Sequence, residues 1–231
     1  MQKFKEAPYL ELENYKAPKG GNFIFVPMQD NKRIRLAYWK QNASDQALGT
    51  VLLQQGHNEF IEKYYECIQD LLDRHFNVVC FDWRGQGMSD RMIDSSKKQY
   101  IEDFTIHTKD LSYIVKDIIN KEFSGPLIGI GHSMGGHLLL LSQKYNQDNF
   151  KVIILSAPML GFKYEKILFF LSSFVNFFSK KDNYFLFSKP NMGKETPFEK
   201  NDLTSDFKRY KRTQKLVRKK PTIRLWGITN A

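Results

Sequence analysis

The pentapeptide Gly131-His132-Ser133-Met134-Gly135 constrains this chain more than any other stretch of its sequence. One apolar run, residues 127–130, ends directly before it, and a second, residues 138–141, follows it. The pattern predicts a buried strand, a sharp turn with Ser133 at its apex and then a helix. Such a G-x-S-x-G element is typical of a nucleophile elbow, whose glycines keep Cβ atoms out of a crowded turn. The alternative interpretation is a tight turn with a serine that does no chemistry.

Around this turn, runs with strand character alternate with runs of helical periodicity. Besides the strand before Ser133, the predicted strands are residues 22–27, 33–39, 49–54, 77–82 and 151–156. The predicted helices are residues 60–75, residues 103–120 and a helix from the turn to about residue 145. This alternation indicates an α/β fold, with a mostly parallel sheet flanked by helices on both faces.

The pattern changes after Pro158, where a Phe- and Leu-rich segment is followed by a basic one. We therefore predict two parts, an α/β core over residues 1–158 and a helical lid or cap region over residues 159–231. Within the second part, residues 208–220 carry eight Lys and Arg and no acid, in a chain of net charge +10. A solvated helix face is the favoured interpretation and contact with anionic lipid headgroups the second. Nucleic acid is not expected as a partner, because no nucleic-acid-binding module accompanies the run.

The two cysteines and the distribution of apolar residues indicate in which cellular compartment the protein is expected. Cys67 and Cys80 lack metal-ligand spacing, which predicts reduced thiols and no metal site. Residues 1–15 show no apolar signal-peptide core, and the apolar stretch 167–178 is too short to span a membrane. The expectation is a cytoplasmic protein that is peripheral to the membrane at most.

Four sequence blocks carry a family resemblance. They are Gln55-Gly56-His57-Asn58-Glu59, residues 81–90 (FDWRGQGMSD), residues 131–136 (GHSMGG) and Leu155-Ser156-Ala157-Pro158-Met159. With them the chain resembles α/β-hydrolases of the bacterial lysophospholipase and monoacylglycerol lipase type, a group that overlaps with serine aminopeptidase-like S33 hydrolases. The resemblance implies the α/β-hydrolase fold and hydrolysis of carboxylic esters without a cofactor.

The resemblance also assigns roles to three residues. Ser133 is the expected nucleophile, and its attack on an ester carbonyl creates an oxyanion that needs fixed donors. The backbone N–H of Met134, the residue after the nucleophile, is the first expected donor. By similarity to the family, the backbone N–H of His57 is the second; the alternative is a loop histidine with no further role. Asp82 and Ser89, in the loop after the fourth predicted strand, are expected to satisfy backbone groups.

The chain departs from the family after Ser133. In this fold the triad acid and histidine follow the serine, yet only His137 remains, and it lies one turn into the elbow helix. We expect His137 to be a packed, hydrogen-bonded residue rather than the base. The acids after Ser133 do not follow a later strand, and the last strands of the family's sheet are missing. The sequence therefore predicts an uncovered sheet edge and a base and acid supplied by a second polypeptide or by sequence absent here.

The apolar segment of the predicted lid suggests a place for substrate. Phe169, Phe170 and Phe174 are candidates for binding acyl chains of a lipid-like ester, with peripheral membrane contact through the basic, aromatic lid. The alternative is ordinary packing of a cap over the core. Three hypotheses of function remain open: an ester hydrolase such as a lysophospholipase or monoacylglycerol lipase, a non-catalytic remnant or binding protein, and a peptidase on the same scaffold.

Overall fold

A computed structural model describes residues 4–41, 47–146, 149–161, 180–184, 195–201 and 203–229. Its main feature is a seven-stranded sheet with the strand order β1-β2-β3-β5-β4-β7-β8. The strands of this sheet are β1 (Lys5–Glu6), β2 (Asn22–Pro27), β3 (Arg33–Trp39), β4 (Gly49–Gln54), β5 (Phe76–Phe81), β7 (Leu127–His132) and β8 (Val152–Ser156).

Two pairing modes divide the sheet. The strands β1, β2, β3 and β5 pair antiparallel in that order. The strands β5, β4, β7 and β8 are all parallel to one another. Because the carboxyl ends of parallel strands meet at one edge, the loops after β4, β5 and β7 converge there, as ligand sites in α/β sheets do.

The helices pack on both faces of the sheet. Helix α1 (Tyr65–Leu72) follows a single 3₁₀ turn, and α2 (Thr105–Tyr113) continues through a π-helical segment, Ile114–Ile119. Helix α3 (Met134–Asn146) follows β7, and α4 (Phe207–Lys219) lies near the end of the described chain. None of the helices in the described part of the chain is long and apolar enough to cross a membrane.

The alternation of side chains along each strand explains the two faces. In β4, Leu52 belongs to a core cluster shared with α2 and α3, whereas Val51 and Leu53 belong to a cluster shared with α1. Successive residues of a strand point to opposite faces, so one apolar run supplies both cores. The predicted α/β architecture, a mostly parallel sheet with flanking helices, is confirmed.

The predicted element bounds need small corrections. Strand β5 ends at Phe81 rather than Asp82. The Asp82 carboxylate accepts bonds from the backbone N–H groups of Met88, in the following loop, and of Ile61, in the turn after β4. Helix α1 ends before His75, whose φ of 61° lies in the left-handed region and stops the helix. The predicted strand at 151–156 begins one residue later, at Val152.

Three strands of two residues each were not predicted: β1 and the two strands of a second, smaller sheet. Strand β6 (Lys98–Gln99) pairs parallel with β9 (Gly227–Ile228), forming a separate two-stranded sheet. Two-residue strands carry no periodicity that a sequence could reveal. This pairing fixes residues 226–229 against the segment after β5, and the Thr229 hydroxyl donates a further bond to the carbonyl of Gln99.

Helix α4 is the basic run predicted as a solvated helix face, and its apolar side is held against the core. Leu216 and Ile223, which follows the helix, are fully buried against Phe60. On the outer side Arg212 pairs with Glu66, and Arg218 pairs with Glu195. The first interpretation of the basic run therefore describes much of this helix. The division of the chain at residue 158 stays a prediction.

Within the ranges that the structure describes, the outer edge of the sheet is open at β8. Among the described residues β8 pairs with β7 alone, and Val152 and Ile154 are 49% and 50% exposed. Leu140 and Leu141 of α3 also expose a large part of their side chains. The expectation of an uncovered sheet edge agrees with this arrangement.

Candidate active site

Ser133 alone forms the turn between β7 and α3. The strand ends at His132, the helix begins at Met134, and Ser133 has a left-handed φ of 51°. Its N–H donates to the carbonyl of Ser156 (3.0 Å), and its carbonyl accepts from the N–H groups of His137 and Met159 (3.1 Å each). The predicted strand, turn and helix are therefore present, and the backbone of Ser133 is bound from three sides.

The glycines around the turn are required by contact distances. A Cβ at Gly131 would lie 2.6 Å from the Cα of Gly136. A Cβ at Gly135 would lie 2.6 Å from the carbonyl oxygens of both Gln54 and Gln55. Helix α3 thus starts in direct contact with the end of β4, which only a residue without a side chain allows.

The loop after β4 lies beside this turn. A Cβ built on Gly56 would be 3.1 Å from the Cβ of Ser133 and 3.0 Å from Nδ1 of His132. The structure therefore brings the block at residues 55–59 against the serine, as the family resemblance implied.

Two backbone N–H groups at this junction are unused. Among the described residues, neither the N–H of His57 nor that of Met134 donates a hydrogen bond, whereas the neighbouring N–H groups of Gly56 and Asn58 both do. The hydroxyl of Ser133, on a half-buried residue, likewise makes no hydrogen bond within the described part of the chain. These two N–H groups and the serine oxygen therefore have no competing hydrogen-bond partner among the described residues.

The flanking N–H groups are held by two side chains. Gly56 donates to Oε2 of Glu59 (2.8 Å), and the same oxygen lies 3.0 Å from Nδ1 of His132. Asn58, at a left-handed φ of 58°, donates to Oε1 of Gln86 (2.6 Å). The Nε2 group of Gln86 in turn lies 3.8 Å from Sδ of Met134, within the range of a hydrogen bond to sulfur.

The charge state of the Glu59 pair follows from its contacts. Glu59 is mostly buried, which by itself raises the pKa of its carboxyl, but hydrogen bonds from His132, Lys63 and Tyr64 hold that pKa well below its usual range. The carboxylate in turn raises the pKa of His132. Among the described residues the His132 ring contacts Glu59 and Tyr64 and makes no hydrogen bond to the Ser133 hydroxyl.

The His57 ring has a role of its own. The residue is exposed, and its Nε2 contacts Oε1 of Gln99 in the segment that pairs with β9. The ring therefore helps to fix the loop, and the alternative of an exposed loop histidine with no further role stays open. Its backbone N–H as an oxyanion donor remains a prediction.

The loop after β5 is anchored below the site by buried charges. The guanidinium of Arg35 binds both oxygens of Glu62 (2.6 and 2.8 Å) and one oxygen of Asp82 (2.7 Å), and all three side chains are fully buried. Ser89 accepts from the Arg35 N–H and donates to the carbonyl of Asp82. Asp82 and Ser89 thus satisfy backbone groups, as predicted.

Several predicted features lie elsewhere or outside the described residues. His137 donates its backbone N–H to Ser133, but its ring makes no hydrogen bond to any described residue, so the prediction of a hydrogen-bonded side chain is wrong there. The lid candidates Phe169, Phe170 and Phe174 lie outside the described residues. Glu59 and Gln86 had no predicted role, although both stand in the blocks that carry the family resemblance.

Two curated proteins are similar to this chain over part of their length. Lysophospholipase L2 of Escherichia coli K12 is 27% identical over 183 residues, which cover 78% of this chain and 53% of that protein. Human monoglyceride lipase is 26% identical over 132 residues, 57% of this chain and 41% of that one. The chain thus spans about half the length of the curated relatives it matches.

Solved structures share the fold. A thermostable carboxyl esterase from Bacillus coagulans aligns with a TM-score of 0.62 at 16% identity, over 73% of this chain and 54% of that one. A soluble variant of monoglyceride lipase from Saccharomyces cerevisiae gives 0.57 at 23% identity, over 75% and 56%. These likenesses support the α/β-hydrolase fold.

The family follows from a match that covers most of the sequence. Residues 45–231 fit the profile of the family described as serine aminopeptidase, S33. That range contains β4, the loop at residues 55–59, the Ser133 turn and helix α4. The chain is therefore a member of the serine aminopeptidase S33 family of α/β-hydrolases.

Proposed function

We propose that this chain is a serine hydrolase of carboxylic esters, of the lysophospholipase or monoacylglycerol lipase kind, with Ser133 as its nucleophile. One observation carries the proposal: the Ser133 turn lies against the loop at residues 55–58, and the N–H groups of His57 and Met134 beside it have no partner among the described residues. The names of the relatives supply the substrate class, a lipid-like ester.

The proposed chemistry proceeds through an acyl-enzyme. The Ser133 oxygen forms a bond to the ester carbonyl carbon, and the carbonyl electrons move onto oxygen, where the N–H groups of His57 and Met134 stabilise them. When the carbonyl re-forms, the carbon–oxygen bond to the alcohol breaks, and the alcohol leaves with a proton. Water then hydrolyses the acyl-serine. Loss of one such donor costs roughly 3 kcal/mol of barrier, so the pair would supply much of the catalysis.

The base and acid of this reaction would come from a second polypeptide or from sequence absent here. His137 is the only histidine after Ser133, and its position in α3 does not suit a base, which must approach the serine oxygen from its own loop. The open edge of β8, with Val152 and Ile154 exposed, supports this part of the proposal, because it leaves room for a further strand.

Contact with a membrane surface is a further part of the proposal. Leu203 and Phe207 are 80% and 47% exposed beside the basic residues of α4. Apolar side chains next to Lys and Arg suit the boundary between acyl chains and anionic headgroups. Sedimentation with phosphatidylglycerol vesicles and with neutral phosphatidylcholine vesicles tests this contact, and equal absence from both pellets would exclude it.

A fluorophosphonate probe tests the nucleophile, because it phosphonylates activated serines. We expect slow labelling of the wild-type chain and none of Ser133→Ala. Ser142→Ala is the matched control, since Ser142 lies in the same helix and its buried hydroxyl bonds the carbonyl of Leu139. Equal labelling of wild type and Ser133→Ala would contradict the proposal, as would labelling of neither when a polypeptide that supplies the base and acid is added.

One observation favours a second function, a non-catalytic member of the family. The Ser133 hydroxyl has no hydrogen-bond partner among the described residues, and a serine without its base loses most of its activation. Absence of labelling in a well-folded wild-type chain would favour this alternative. A serine peptidase is distinguished by substrate: a labelled chain that releases aminoacyl groups from peptides but no fatty acid from monoacylglycerol would be one.

A further inference from the structure

We propose that Glu59 and Gln86 are positioning residues that together hold the backbone N–H of His57 in register with the Ser133 turn. This inference rests on the proposed function, because it assigns the means by which the oxyanion donors are fixed. Neither side chain would touch the substrate. Each instead bonds one N–H next to His57 and one residue next to Ser133.

Glu59 makes the first of these links. Its Oε2 atom accepts from the N–H of Gly56 (2.8 Å) and lies 3.0 Å from Nδ1 of His132, the last residue of β7. The hydroxyl of Tyr64 donates to the same oxygen (2.5 Å). One carboxylate oxygen therefore joins the residue before His57 to the residue before Ser133.

Gln86 makes the second link on the other side. Its Oε1 atom accepts from the N–H of Asn58 (2.6 Å), and its Nε2 group lies 3.8 Å from Sδ of Met134. Gln86 is fully buried, so water does not compete for its amide. This side chain joins the residue after His57 to the residue after Ser133.

The two links fix the peptide groups on both sides of His57. With the N–H groups of residues 56 and 58 bound, the N–H of residue 57 is left free to point at a substrate. Asn58 adds a third constraint, because it holds a left-handed φ and bonds the backbone of Leu225 through both side-chain atoms (2.7 and 3.0 Å). A donor placed by such contacts is already oriented when charge develops, which is where hydrogen bonds contribute most to catalysis.

The experiment removes each link in turn and compares the result with a control variant. The control removes a charge next to Glu59 but leaves both links intact. Glu59→Ala removes the first link, and Glu59→Gln keeps an acceptor for the Gly56 N–H. Gln86→Leu removes both polar ends of the second link at similar size. Lys63→Gln is the matched control, because Lys63 contacts Oε1 of Glu59 and not the oxygen that binds the loop.

Two readouts separate this inference from the proposed function. The first is amide hydrogen exchange of the segment 56–58, which does not depend on catalysis. We expect at least 10-fold faster exchange in Glu59→Ala and Gln86→Leu, with Glu59→Gln between Glu59→Ala and the wild type. Lys63→Gln should exchange like the wild type. Circular dichroism confirms that each variant is folded, and Glu59→Gln serves if Glu59→Ala is not.

The second readout is the labelling of Ser133 by the fluorophosphonate probe, resolved into its maximal rate and its probe affinity. Displacement of a catalytic group by about 1 Å can cost about 100-fold in rate. We therefore expect a 10- to 100-fold lower maximal rate in Glu59→Ala and Gln86→Leu, with affinity within threefold. Glu59→Gln should recover part of the rate.

The outcomes are distinct. Faster exchange with slower labelling supports the inference. If Glu59→Ala and Gln86→Leu exchange and take the label as fast as Lys63→Gln, the inference is overturned, and the assignment of Ser133 as the nucleophile is unaffected. A wild-type chain that takes no label, even with a polypeptide that supplies the base and acid, refutes the proposed function, and the exchange readout alone then decides whether the two side chains hold the loop.

Discussion

At the scale of single residues, the backbone of Ser133 is in an unfavourable conformation. A left-handed φ costs an L-residue about 1–2 kcal/mol relative to the right-handed region. Three backbone hydrogen bonds, through Ser156, His137 and Met159, offset that cost. Strain of this kind tends to persist where a side chain must be presented at one position, which suits the role proposed for this serine.

This strain predicts a difference between two variants that both lack the hydroxyl. Ser133→Gly relieves the left-handed conformation, whereas Ser133→Ala keeps it, so the glycine variant should be the more stable by about 1 kcal/mol. Urea denaturation followed by circular dichroism measures the difference in free energy of unfolding. Neither variant should take the fluorophosphonate label. An alanine variant as stable as the glycine variant would show that the turn is not strained.

At the scale of elements, the contact between α3 and β4 sets the position of the serine. The helix begins so close to the strand end that the carbonyl oxygens of Gln54 and Gln55 lie 2.6 Å from where a Cβ of Gly135 would be. Backbone atoms cannot move aside as a flexible side chain can. The start of the helix must therefore shift before any larger residue fits.

Gly135→Ala should accordingly lower the free energy of unfolding by about 3 kcal/mol, the upper part of the range for overpacked cores. Gly129→Ala in β7 is the matched control, since its nearest neighbours are side-chain atoms of Phe150 at 3.3 Å. That variant should lose less than about 1 kcal/mol. Chemical denaturation measures both, and equal losses would argue against a backbone clash at Gly135.

The sequence predicts these elements well where periodicity and motif agree. The strands at 22–27, 33–39 and 49–54 have the predicted bounds, because each is centred on apolar residues that are buried in the sheet. The links of Glu59 to His132 and of Gln86 to Met134 were not predicted, because they join residues 73 and 48 positions apart. Only the strand order of the folded sheet brings such pairs together. The pairing of β6 with β9 escaped for the same reason.

At the scale of the whole molecule, buried polar groups couple stability to pH. His107 of α2 is fully buried between the rings of Trp83 and Phe104, and neither ring nitrogen has a hydrogen-bond partner in the described part of the chain. Burial, with a smaller contribution from the charge of Arg84, lowers the pKa of His107 to about 3. The folded chain therefore keeps this ring neutral at a pH where the unfolded chain protonates it.

The sign of the effect follows from that difference. The unfolded ring takes up a proton below about pH 6.5, so stability is lost as the pH falls from there toward 3. At pH 5 the loss from this residue alone is about 2 kcal/mol relative to pH 7.5. His107→Phe keeps an apolar ring and should lose about 2 kcal/mol less than wild type between these pH values. Denaturation curves at both pH values measure it.

The exposed histidine of the αL position after α1 provides the control for this prediction. His75→Asn should follow the wild type at both pH values, because asparagine tolerates the left-handed backbone at that residue. If His107→Phe and the wild type lose the same free energy of unfolding between pH 7.5 and pH 5, other groups govern the acid sensitivity.

The two hydrogen bonds between the Asn58 side chain and the Leu225 backbone have a consequence for biosynthesis. The two residues are 167 positions apart, so Asn58 leaves the ribosome long before its partner has been synthesised. A nascent chain can complete β4, β7 and the serine turn while the amide of Asn58 is still satisfied by water. The loop that contains His57 therefore acquires its hydrogen bonds to Leu225 late in translation. They form only after helix α4 has been synthesised, so the loop next to Ser133 is incompletely bonded until then.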